Sequence, residues 1–253
     1  MSKKIAIITD ASGGIMKKTI SSERVNLFEP NDYIYFMVHI SGELTADELA
    51  VAVKAAYMVN ESTMSRIVLE DDGTAFYDLL NESGCTVTIA QKDWQDIIRE
   101  NEKIPFNIKA GELLRVFIIP SGTELSLLIM AHHLAGDGKS LAYFLEDVMK
   151  TLSGEKTAYK PLRLVTKDYF TQEFRLPLYV RLYPNKFNRQ WQRTGTNFTR
   201  DDYYRIHETY WREHRSQVFY EQFSPEELSQ IKSAAKEMGV TVNSYLTKGT
   251  SFF

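Results

Sequence analysis

Apolar and polar positions alternate along this chain with two different periods, and the switches between them mark out its elements. Tyr33 to Ile40 alternates aromatic and β-branched residues and reads as a strand. Thr45-Ala-Asp-Glu48 forms a capping box, with Leu44 and Leu49 placed as a hydrophobic staple. A helix to about Val59 is therefore predicted, burying Leu49, Ala52, Val53 and Ala56. Arg66 to Leu69 and Thr74 to Tyr77 flank Asp71-Asp72-Gly73, a hairpin signal. Cys85 to Ala90 reads as a strand and Lys92 to Glu100 as a short helix. Leu113 to Ile119 and Leu125 to Met130 are the most apolar strands, and the short Pro120–Glu124 loop makes them antiparallel. Leu141, Phe144, Leu145, Val148, Met149 and Leu152 then repeat at helical spacing, with Gly154 as a stop.

The two ends are less regular. Ile5 to Ile8 reads as a short strand, followed by a polar loop through Ser22. Ser216 to Phe223 is a further predicted strand. Ser224-Pro-Glu-Glu227 opens a helix with a capping box, proline at its first position and a Phe223/Leu228 staple. Gly239 ends it, and Thr241 to Leu246 begins one more helix before the sequence ends at Phe253.

Composition adds limits. With 253 residues, 43% hydrophobic and 25% charged, the chain can bury a real core. The net charge of −3 argues against bulk polyanion binding. It is unevenly spread: Tyr159 to Arg215 carries +6 and is rich in Tyr, Phe and Trp, leaving −9 for the rest. That segment reads first as an amphipathic connector, with arginine stems lying over apolar surface. Attraction of anionic groups to its positive charge ranks second, and single-stranded nucleic acid last. Cys85 is the only cysteine, which excludes an internal disulfide and fits a reducing compartment. It reads as a small core residue rather than a nucleophile. No apolar run reaches the ~20 residues of a membrane span, and the apolar stretch after Lys4 is too short for a signal peptide. A cytoplasmic protein is expected.

One segment carries chemistry. Ala131-His132-His133-Leu134-Ala135-Gly136-Asp137-Gly138 lies where a strand turns into a helix. A histidine there can act as a general base, because its ordinary pKa of ~6.5 is close to working pH. Consecutive side chains of an extended segment point to opposite faces, so His132 and His133 do not serve one reaction together. The same geometry, with no fourth ligand, argues against a metal site of His132, His133 and Asp137. Asp137 can cap the helix that starts at Gly138. Arg115, inside an apolar strand, needs a partner for its charge. Thr9-Asp-Ala-Ser-Gly-Gly14 superficially matches a dinucleotide fingerprint, but Asp10 and Met16 stand where glycines are required and no βαβ series follows.

Leu113-Leu-Arg115, the apolar strand after it, His132-His-x-x-x-Asp-Gly138 and the next helix together resemble the chloramphenicol acetyltransferase-like superfamily, nearest to condensation domains of nonribosomal peptide synthetases and their stand-alone acyltransferase relatives. Weaker likeness runs outward, through Met64–Gly73 on one side and Phe223–Asn243 on the other. The resemblance implies an α/β fold, a mixed and largely antiparallel sheet with helices packed on one face. It implies acyl transfer from a coenzyme A or carrier-protein thioester to an alcohol or amine, with His133 as general base and no covalent acyl-enzyme. No bound cofactor is expected; the acyl-coenzyme A or phosphopantetheinyl thioester is substrate. His132 would support the loop, Asp137 would pair with Arg115, and Gly138 would allow close backbone approach, so that the helix can abut substrate.

The expected organisation is an N-terminal strand and loop (1–22), a first lobe (23–158), a basic aromatic connector (159–215) and the start of a second lobe (216–253). Family members have two lobes of similar size with the histidine in a tunnel between them, so this chain is expected to be cut short and to transfer acyl groups poorly alone. Two alternatives compete with the enzyme reading. One is a non-catalytic remnant or binding module; the other is a half-site completed by a partner chain.

Overall fold

The computed structural model describes residues 17–20, 22–164, 189–190, 193–195, 197–218 and 220–250. The strand expected at Ile5 to Ile8, the Thr9–Gly14 segment and much of the basic aromatic stretch lie outside these residues. The chain forms two compact units, Met1–Arg215 and Ser216–Phe253.

The first unit is built on a four-stranded sheet. Its strands are β2 (Tyr33–Ser41), β5 (Thr86–Ile89), β6 (Leu114–Ser121) and β7 (Glu124–His132), in the order β2-β7-β6-β5. β6 and β7 are the expected antiparallel hairpin, and β2 runs antiparallel along β7 from Tyr33 opposite His132 to Ser41 opposite Glu124. β5 pairs with β6 in parallel, because the chain between them crosses over through α2 (Trp94–Asn101) instead of a tight turn. A second, three-stranded sheet holds β1 (Lys18–Thr19), β3 (Ser65–Leu69) and β4 (Ala75–Leu79) in the order β1-β4-β3. Here β3 and β4 form the hairpin around Asp71–Gly73, and β1 pairs along β4. The α/β class and largely antiparallel pairing hold, with the strands divided between two sheets.

α1 (Ala46–Val59) forms where its capping box starts it: the Thr45 side chain accepts from the Glu48 amide at 3.2 Å and Glu48 accepts from the Thr45 amide at 2.9 Å. It buries the four residues expected, and Tyr57 as well. α3 (Gly138–Leu152) packs on α1, with Tyr57 stacked on Phe144 at 5.5 Å between ring centroids. Leu141, Phe144 and Val148 are buried, but Met149 is 44% exposed, a departure from its expected core position. Met149 follows Val148 by 100° around the helix, past the edge of the apolar face. Every residue of β7 from Leu125 to His132 is buried. Each buried Leu, Ile or Met there contributes about 1.5–3 kcal/mol relative to exposure.

Helices cover both faces of the four-stranded sheet. α4 (Arg200–Glu213), opened by a Thr199/Asp202 capping box, lies within the basic aromatic segment and buries Tyr203, His207 and Trp211. Tyr203 and His207 contact the face that carries Tyr33 and His132. The one-face arrangement expected from the resemblance is therefore incomplete: the polar and aromatic residues on this second face also need a cover. Trp211 fixes the far end of α4 by donating Nε1–H to the Pro30 carbonyl at 3.1 Å.

The second unit holds α5 (Pro225–Glu237), with its Ser224/Glu227 capping box, and α6 (Val242–Thr250). The strand expected at Ser216 to Phe223 is not present among its described residues, which are irregular. A strand requires a neighbour to satisfy its backbone, and no described strand of this unit supplies one.

A buried ion pair joins α3 to the chain that follows it. Asp147, 1% exposed, receives Lys160 Nζ at 2.7 Å on both oxygens and Asn60 Nδ2 at 3.0 Å. Lys160→Ala leaves that carboxylate with one neutral donor. It should lower unfolding free energy by about 2–3 kcal/mol in urea titrations, less than the full value for a buried pair because Lys160 is partly exposed.

Candidate active site

The His-His segment changes direction at the end of β7. His132 is the last strand residue; His133 to Ala135 form a single 3-10 turn; Asp137 then caps α3. Gly136 makes the reversal possible. Its φ is +143°, and a Cβ there would lie 2.4 Å from the Cβ of Ser140. Gly138 is under no such demand, since a Cβ at this position meets nothing within 4 Å. The close approach expected at Gly138 is not made by the protein's own described atoms.

The two histidines occupy different environments, as the alternation of side chains requires. His132 is 1% exposed. Its Nδ1 accepts from the Leu134 amide at 3.2 Å, which puts the hydrogen of the neutral ring on Nε2. Around it stand Phe106 (5.8 Å between centroids), Tyr33 (6.2 Å) and Tyr203 (6.2 Å). Burial lowers the His132 pKa to about 3, and charge on His133 and His207 would push the same way. His132 is therefore a neutral structural ring. His133 is half-buried, and its Nδ1 lies 3.1 Å from Asn26 Nδ2 on the 3-10 segment Ser22–Phe28. The Tyr77 hydroxyl fixes the turn from beneath by donating to the Leu134 carbonyl at 2.8 Å.

Arg115 and Asp137 do not pair, contrary to the expectation from the resemblance. Asp137 is exposed, and its Oδ1 accepts from the Ser140 amide at 2.8 Å and the Ser140 hydroxyl at 2.7 Å. These bonds hold its pKa below the usual carboxylate range. Arg115, 5% exposed, faces a different set of partners. It holds Glu112 in a two-pronged contact at 3.0 Å, donates to the carbonyls of Asn101, Ile104 and Pro105, and lies 4.3 Å over the ring of Phe106. All five guanidinium N–H groups are used. The physical reason is proximity: Arg115 sits opposite Met130 on β6, and Glu112 is three residues back, whereas the Asp137 carboxylate is held by its own helix end. Arg115 supports the histidine turn through Phe106, which packs edge-on to both Tyr33 and His132.

Sequence reasoning missed Asn26, Phe106, Gly136, Tyr203 and His207. Tyr203, His207 and Trp211 recur every four residues, a helical signal that was legible. Asn26 lies in what reads as a polar loop and gives no local signal. His207 is buried beside Tyr33 and Trp211, and burial lowers its pKa to about 4 against an opposing effect of the Glu102 backbone. Neither of its ring nitrogens makes a hydrogen bond of good geometry, and the Tyr33 hydroxyl and His132 Nε2 are likewise unpaired. Among the described residues no group of three or more His, Cys, Asp or Glu could hold a metal ion. Burial raises the Cys85 thiol pKa, so it is a poor nucleophile.

No family model matches the chain. Curated proteins do. Surfactin synthase subunit 1 of Bacillus subtilis is 28% identical over 137 residues, 53% of this chain and 4% of that protein. The dimodular nonribosomal peptide synthase of the same organism is 28% identical over 150 residues, 55% of this chain and 6% of its own length. The hybrid PKS-NRPS synthetase poxE of Penicillium oxalicum is 27% identical over 128 residues, 47% and 3% of the two chains. Over about half its length the chain is thus similar to segments of nonribosomal peptide synthetases and hybrid synthetases. It spans a few per cent of the length of these large synthetases. Among solved structures, the condensation domain from the monacolin K polyketide synthase MokA has a TM-score of 0.49 at 13% identity, covering 58% of this chain and 36% of its own. The first condensation domain of the calcium-dependent antibiotic synthetase has a TM-score of 0.45 at 14% identity, covering 55% and 37%.

The site geometry yields two stability predictions. Asp137→Ala should cost about 1 kcal/mol, and Asp137→Ser should recover most of it, because a hydroxyl can cap a helix. An Arg115 ion pair would not be rescued by a neutral side chain, so urea titration of the two variants separates the roles. His132 and His207 should make stability depend on pH. Both rings bind a proton near pH 6.5 when unfolded but only at about 3 and 4 when folded. Stability is thus fully present above pH 6.5 and falls as pH drops toward 4, by about 2 kcal/mol per ring at pH 5. His207→Phe should remove about half of this loss, read as the difference between urea unfolding at pH 7 and pH 5.

Proposed function

We propose that the chain is an acyl-transfer module of condensation-domain type, in which His133 is the general base. The reaction is transfer of an acyl group from a phosphopantetheinyl carrier or coenzyme A thioester to an amine or alcohol. The observation that carries this reading is the division of labour at the His-His turn. His132 is buried, neutral and used by the fold, while His133 is half-buried on a turn held by Tyr77 and Asn26. An imidazole so held is fixed in place within reach of a substrate. Homology to nonribosomal peptide synthetases supports the reaction class.

In the proposed step the acceptor nitrogen or oxygen adds to the thioester carbonyl as His133 takes its proton. A tetrahedral adduct forms, collapses with cleavage of the carbon–sulfur bond, and the departing sulfur receives a proton from the imidazolium. The free thiol and the new amide or ester are the products, and no acyl-enzyme is formed. Open space at the start of α3, where Gly138 stands, supports approach of a substrate to this helix end.

The test is single-turnover release of free thiol from an acyl-thioester, with and without amine and alcohol acceptors. His133→Ala should lower acceptor-dependent release by ~10²–10⁴-fold. Equal release by both proteins would overturn the assignment. Gly138→Ala should preserve stability, since its new methyl group meets no atom of the described residues within 4 Å, yet lower transfer if substrate packs there.

A further inference from the structure

We propose that Asn26 is the positioning residue that decides which nitrogen of His133 is free to take a proton; this rests on His133 being the general base. The segment Ser22–Phe28 packs against the His133–Ala135 turn and brings the half-buried Asn26 amide to His133. Asn26 Nδ2 stands 3.1 Å from His133 Nδ1. An amide nitrogen only donates, so Nδ1 must present its lone pair, and the hydrogen of the neutral ring sits on Nε2. In that state Nε2 is a donor, and the basic nitrogen is already occupied. Rotating the amide by half a turn puts Oδ1 in the same place. Nδ1 must then carry the hydrogen, and Nε2 becomes the base.

The same rotation decides whether the product of proton transfer is tolerated. Imidazolium carries hydrogen on both nitrogens, so it meets an acceptor when Oδ1 faces it and an opposing N–H when Nδ2 does. Asparagine is suited to both states because its two ends are nearly the same size. Aspartate could serve only one, as an acceptor for Nδ1–H. The ionisable groups on the elements around the ring are Glu23 and Arg24 beside Asn26, His132 and Asp137 on the chain either side, Tyr77 beneath and His207 on α4. None of these stands between Asn26 and the ring.

The experiment uses the whole chain, labelled with ¹⁵N at histidine, and reads the tautomer and titration midpoint of each ring by two-bond ¹⁵N–¹H correlation. The His133 signals are those missing from His133→Gln. Wild type should hold its hydrogen on Nε2. Asn26→Asp should move it to Nδ1 and raise the titration midpoint by about one unit or more. The acid limb of the transfer rate should move up with it. Asn26→Ala should lower kcat by at least about tenfold while KM changes little, because a group that orients the base is lost rather than one that binds substrate. Thermal melts check that the variants are folded. If Asn26→Asp leaves the His133 tautomer and midpoint at wild-type values, the proposal is wrong. If they shift as expected but wild type and variants alike fail to release thiol, control by Asn26 stands and the base assignment fails.

Discussion

The buried charge of Arg115 is the constraint around which the site is arranged. A guanidinium within an apolar strand costs several kcal/mol to desolvate unless its donors are satisfied. Here every N–H finds an acceptor, in Glu112 and three backbone carbonyls between Asn101 and Pro105. Those carbonyls belong to the chain that leaves α2, so the charge ties that chain to β6. It also holds Phe106 beneath its plane, and Phe106 forms one wall around His132. The position of the histidine turn is thus transmitted from a strand arginine through an aromatic ring.

The cross-strand pair of Tyr33 and His132 completes that arrangement. The two residues lie opposite one another at the end of the β2–β7 ladder, and α4 closes over them with Tyr203 and His207. This places two imidazoles in surroundings that penalise their charged forms. The neighbouring His133, one residue further, turns away to meet Asn26. Adjacent positions of one residue type therefore meet different surroundings because a strand end sends them to opposite sides.

Asp137 illustrates why a motif does not define its own contacts. An aspartate just before a helix has an immediate partner in the amide three residues on, which it reaches without ordering any distant group. A pairing with Arg115 would have had to compete with Glu112, only three residues from the arginine, and with the local cap. Both local interactions require less conformational entropy than a contact across the turn.

The local features were legible in the sequence. The capping box at Thr45, the 3.6-residue repeats of α1 and α3, and the β3–β4 and β6–β7 hairpins depend on residues close in the chain, whose spacing records which face is buried. The His-His turn was legible for the same reason. What depended on distant residues was not. The split into two sheets, the partner of Arg115, the cover that α4 lays over His132, and the approach of Asn26 to His133 across 107 residues join segments whose local patterns carry no record of each other. The strand expected at Ser216 to Phe223 failed on the same ground, since alternation can propose a strand but only a neighbour's backbone can form one. Residue spacing determined which elements exist and which face each one buries; the tertiary structure alone decided which charges, rings and amides meet, because those contacts are selected by packing and by the need to satisfy every buried polar group.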